Sequence, residues 1–209
     1  MKLSIESMAI EMPAVFGHPN RIAFRGVLTV VDVASDKAPA GARGHRVMLK
    51  RKAAEAAIPS LLGMALDYSP RLDAHDTRRK IGVITRAEIV GREIAVGGFL
   101  YGRDFPEIVA EIGKTALNGQ SSVIRKNESK DRQIYGVLME RVSGKQVSNS
   151  TDMGRGATRA VLGMSYEIAD AVVEDIKATV WVLSRVTFTG AAVLRRDKAA
   201  YGSTWIELG

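Results

Sequence analysis

Apolar residues in this chain come in short, β-branched runs, most of them bounded by glycine, proline, asparagine or aspartate. A helical bundle would need an apolar period of 3.6 sustained over about ten or more residues, whereas a strand needs only roughly four to eight. The pattern therefore predicts many short strands and few helices. "RIAFRGVLTVVDVAS" gives the first firm strand, with Ile22, Phe24, Val27 and the Val30–Val33 group, and Gly26 as a bulge position. "KIGVITRAEIVGREIAVGGFLYG" predicts two strands about a turn at Gly91-Arg92. Later β-type runs fall at Val161 to Ile168, around Val172-Val173, and at Val180 to Phe188. Residues 1–12 suit a strand or an irregular lead-in, and Val47 to Leu49 a short strand.

Two helices are expected. "KRKAAEAAI" is rich in alanine and stops at Pro59, and "DFPEIVAEIGKTALNG" has Asp104 for a cap and Pro106 for its first turn. "MALDYSPRLDAHD" predicts loop or edge, and "RRDKAAYGSTWIELG" a short helix or tail. The fold class that follows is α+β: a β-barrel or strongly curved, mainly antiparallel sheet flanked by a few helices. With 209 residues the chain has room for one well-buried core. Residues 1–209 form one domain in this reading, and the polar stretch 120–159, rich in Ser, Lys, Arg and Gly, is a flexible insertion in it.

The absence of cysteine excludes disulfides, thiolate catalysis and cysteine-ligated metals, and fits a cytoplasmic protein. Glu6 and Glu11 break the N-terminal apolar positions, so no signal peptide is expected. No stretch approaches the roughly 20 apolar residues of a membrane span. The net charge of +7 admits nucleic acid as a partner, yet aromatics are only 6% and the basic residues are scattered in small groups. A solvated basic surface is the stronger reading; a basic nucleic-acid-binding β-domain is the alternative.

Three histidines are present, and none stands in a metal-binding spacing such as HExxH; no phosphate-cradling glycine loop follows a strand. No metal or cofactor is expected. His18 and His45 lie in turn-like segments and read as surface residues. His75, in "LDAHDTRRKIGVIT", is the remaining base. Without cysteine a nucleophile must be Ser, Thr or Lys. Ser165, in "LGMSYEI", is the best placed, because a hydroxyl in an apolar strand needs a reason to be there. In a strand it shares one face with Gly163 and Glu167, and Gly163 would let a substrate backbone come close. Read locally, Ser165 is either that nucleophile or a hydroxyl bonding a neighbour within a half-buried strand.

The ordered series "LDAHDTRRKIGVIT", "EIAVGGFLYGRDFPEIV", "LGMSYEI" and "WVLSRVTFTGAAVL" resembles the phage prohead (capsid maturation) proteases, which are similar in fold to the herpesvirus assemblins. The likeness spans about residues 60 to 200. It implies a β-barrel flanked by helices, with His75 as general base and Ser165 as nucleophile. It implies a serine endopeptidase that processes phage scaffold or capsid precursors in the host cytoplasm or within an assembling procapsid. Proteases of this kind often pair, so a homodimer is open. Where the family carries an acid in its last strand, this chain reads "VLSRVTF", with Ser184 or Arg185 at that place. Asp73, Asp76 and Glu167 are the substitutes available to orient His75. The alternative is a catalytically degenerate capsid-assembly or scaffold-associated module.

Overall fold

The computed structural model describes residues 7–13, 15–119 and 162–209. The expected insertion at 120–159 lies outside the described residues. The chain builds a strongly curled, mixed but mostly antiparallel half-barrel sheet with two short helices. Its strands are β1 (Ser7–Ala9), β2 (Ile22–Val30), β3 (Arg46–Leu49), β4 (Ala65–Asp67), β5 (Lys80–Val90), β6 (Glu93–Leu100), β7 (Leu162–Val173), β8 (Val180–Arg195) and β9 (Trp205–Leu208). The helices are α1 (Arg51–Ala57), prolonged by a 3-10 turn at Ile58–Leu61, and α2 (Pro106–Gly119). The strand order is β3-β8-β4-β5-β6-β2-β9, with β1 on β5 and β7 on β8. None of the helices among the described residues is long and apolar enough to cross a membrane.

Strand β8 organises the sheet. Along one edge it takes β3 and then β4, both parallel; along the other it takes β7, antiparallel. Leu28, Leu49, Leu66, Ile81, Ile94 and Phe188 belong to one core with essentially no solvent exposure, and Ile108 and Ile112 seat α2 against the same core. Glycines allow the curl. A Cβ on Gly82 would stand 2.3 Å from the Phe99 carbonyl oxygen, and one on Gly98 would stand 2.0 Å from that of Val83. A β-carbon cannot occupy either place, so β5 and β6 approach as they do only because neither position has one.

Three expectations are corrected. Gly26 is no bulge: the irregularity of β2 lies between Val27 and Thr29, and Gly26 instead admits the Trp205 carbonyl of β9, which would be 2.4 Å from an added Cβ. The C-terminal segment is a strand rather than a helix or tail, since β9 pairs with β2 from Phe24↔Leu208 to Val27↔Trp205. "MALDYSP", read as loop or edge, supplies β4, which is interior, between β8 and β5. Its three residues are too few to show a period, and its strand character comes from its neighbours.

Candidate active site

Paired residues on neighbouring strands point to the same side of a sheet, and so do residues two apart on one strand. Ala192 of β8 pairs with Ser165 of β7 on one edge and with Asp67 of β4 on the other. Ser165 and Asp67 thus share a face, with their backbones two strand spacings apart, about 10 Å. Glu167 lies two residues beyond Ser165 on that face and pairs with Gly190. Between the polar residues the floor is therefore Gly190 and Ala192, which leaves room above it for a side chain. An added Cβ at Gly190 would come 3.0 Å from Glu167 Oε2.

The side chain that fills this room is His75. Its loop, between β4 and β5, is tied down at several points. The Leu72 carbonyl accepts the Arg195 N–H at 2.7 Å, and Ser69 and Asp73 bond each other through their side chains at 2.9 Å. The Asp76 N–H donates to Asp67 Oδ1 at 3.1 Å. His75 Nδ1 then lies 3.3 Å from Glu167 Oε1 and 3.6 Å from Asp67 Oδ1. Both separations suit an ion pair, yet neither has hydrogen-bond alignment, and Nδ1 is shielded from solvent without a hydrogen-bond partner. Asp67 is fully buried. A buried carboxylate needs donors or cations around it, and here it has the Asp76 N–H on Oδ1 and the Lys80 ammonium, 3.5 Å from Oδ2.

His75, Ser165 and Glu167 all border one open cleft of about 840 Å³. Among the described residues no hydrogen bond joins Ser165 Oγ to the His75 ring. Catalytic hydrogen bonds are often long before substrate binds. The far wall of the cleft is the 37–42 loop together with Trp181, Leu183 and Val173. Trp181 is held from two sides: it stacks on His45 with ring centroids 4.5 Å apart, and its Nε1–H donates to the Ile176 carbonyl at 3.1 Å. His45 is thus a half-buried brace rather than a surface residue. His18, also half-buried, accepts the Asn20 N–H on Nδ1 at 3.1 Å.

Of the acids weighed as partners for His75, Glu167 reaches it. Asp76 turns away: its carboxylate accepts the Arg78 N–H and pairs with the Arg78 and Arg79 guanidiniums at 3.0 and 3.6 Å. The hydrogen bonds from Arg78 hold the Asp76 carboxyl below the usual carboxylate range. Its place in a turn rather than a strand gives it this capping task. Asp73 serves the Ser69 turn. Ser184 donates to the Val172 carbonyl at 3.3 Å, six residues along β8 from Gly190 and so roughly 20 Å from the imidazole. Gly163 is buried against the Thr204 hydroxyl and the Arg196 backbone, so chain packing and not an incoming substrate requires its small size. Asp67 escaped sequence reading. An acid next to tyrosine in an apolar triplet, "ALDY", is the faint signal that would have found it.

No protein-family model matches the chain, and no curated protein matches it.

Proposed function

We propose that the chain is a serine endopeptidase with Ser165 as nucleophile and His75 as general base, acting on phage scaffold or capsid precursors during head maturation. What supports the chemistry is one observation: an imidazole packed against two carboxylates, above the same small-residue floor that carries a strand serine. The precursor substrate follows from the sequence resemblance alone.

The roles follow from which ring nitrogen faces what. Two carboxylates at Nδ1 favour the tautomer with its proton there, which leaves Nε2 as the basic atom. Nε2 takes the proton of Ser165 as the hydroxyl attacks the scissile carbonyl, and returns it to the leaving amine. Glu167 and Asp67 stabilise the imidazolium that exists between those steps. A serine in place of the family's acid in the late strand is then no loss, because the negative charge arrives from β7 and β4 instead. The oxyanion donors are not the Arg78 and Arg79 N–H groups, which are engaged inside their own turn by the Asp76 side chain and carbonyl.

The direct test is labelling with a fluorophosphonate, which phosphonylates a serine only when a base activates it. Peptide mass spectrometry is expected to find the adduct on Ser165 in the wild type and not in His75→Ala. No adduct on Ser165 in folded wild-type protein would favour the degenerate capsid-assembly module. A subtler check uses the floor. Gly190→Ala pushes the Glu167 carboxylate back by a few tenths of an ångström and loosens its hold on His75. The labelling rate should fall about three- to tenfold, with a thermal midpoint within about 3 °C of wild type.

A further inference from the structure

We propose that Asp67, His75 and Glu167 form a binding site for one zinc-class divalent ion, and that the bound ion switches the cleft off. The three side chains each offer one donor atom, and these atoms lie within 4.8 Å of one another. The two separations from Nδ1, 3.3 Å and 3.6 Å, are close to the spacing of neighbouring ligands about a tetrahedral ion: donors about 2.0–2.1 Å from the metal stand roughly 3.3–3.4 Å apart. An oxygen–nitrogen pair at that distance without hydrogen-bond alignment is what two ligands of a common ion look like. The independent sign is His75 Nδ1 itself, a solvent-shielded polar atom with no hydrogen-bond partner that faces both carboxylates.

Charge points the same way. Two carboxylates converge on the imidazole, and the Lys80 ammonium lies beside them, 3.5 Å from the outer oxygen of Asp67 and partly exposed. A dication at Nδ1 would neutralise the pair while the Lys80 ammonium stays on Oδ2. The ligand set of imidazole and carboxylates suits zinc and its first-row neighbours better than calcium, which takes more ligands, all oxygen. Sequence spacing gives no hint of it, because the three ligands come from β4, the following loop and β7.

The consequence for function rests on the hydrolytic reading of Ser165 and His75; the binding itself does not. A metal on Nδ1 uses the lone pair of that nitrogen, so the single N–H proton of the neutral ring moves from Nδ1 to Nε2. That nitrogen is the atom needed as base, so a metallated His75 cannot accept the serine proton.

The experiment is titration of tag-free, chelator-treated protein with Zn2+ by calorimetry, and with Co2+ by visible absorption. Wild type and Ser165→Ala are expected to bind one ion equally, with the intense cobalt bands of tetrahedral coordination. Glu167→Gln, nearly isosteric and half-exposed, should weaken binding about tenfold or more while circular dichroism stays unchanged. Zn2+ should slow fluorophosphonate labelling of Ser165, and chelator should restore it. Absence of binding in the wild type, or equal binding in Glu167→Gln and His75→Ala, would overturn the site. Tight binding with undiminished labelling would overturn the switch. A protein that binds Zn2+ as described and never labels would instead reject the peptidase reading and leave the metal site standing.

Discussion

Ser165→Ala should yield a folded protein that leaves a scaffold or capsid precursor uncut. Removing the nucleophile of a serine hydrolase lowers kcat on the order of 10⁴-fold or more, because the base and the orienting acids act only through it. The fold should not notice. Ser165 is half-buried at the cleft, and its hydroxyl has no partner among the described residues, so thermal stability is expected to stay within about 1 kcal/mol of wild type. The measurement is a gel-based time course with purified precursor, run beside thermal denaturation. Cleavage at the wild-type rate by the variant would remove Ser165 from the chemistry and with it the proposed function.

Gly98→Ala is expected to be the most damaging single methyl that the sheet can receive. The new Cβ would lie 2.0 Å from the Val83 oxygen, 3.0 Å from its carbonyl carbon and 3.1 Å from Ile84 Cα, all of them main-chain atoms that no rotamer change can move aside. β5 and β6 would have to part where Ile84 pairs with Gly98. The expected loss is about 3 kcal/mol or more, a fall in thermal midpoint of roughly 6–12 °C for a chain of this size. Gly97→Ala is the matched control. Its Cβ would meet only the Phe24 oxygen, at 3.3 Å, and should cost less than about 1 kcal/mol. Equal midpoints for the two variants would mean that close backbone approach at Gly98 is not what shapes the curl.

The β5–β6 hairpin was legible in the sequence because all its signals are local: β-branched runs on both sides and Gly91 at the turn, where φ is +60°. So was the face shared by Ser165 and Glu167, which follows from the period of a strand. What lay beyond reach was everything set by register between distant segments. Nothing near Asp67 announces that Ala192 will lie between it and Ser165. "WIEL" reads as a tail until β2 pairs with it. His75 could be picked out by elimination among three histidines, but its two carboxylate neighbours depend on β4 and β7 flanking the same strand. Asp76, adjacent in sequence, is the neighbour that does not serve it.

Because β8 is the one element among the described residues that β3, β4 and β7 all pair with, the two halves of the cleft cannot meet until that late strand has been synthesised. Asp67 and His75 leave the ribosome early, and Ser165 and Glu167 follow only after the long intervening segment. Even then they are held in place by residues up to Arg195. Parallel pairing over such a sequence distance is intrinsically slow. A nascent or C-terminally truncated chain therefore lacks the assembled cleft, and the order of synthesis itself sets when its two halves can come together.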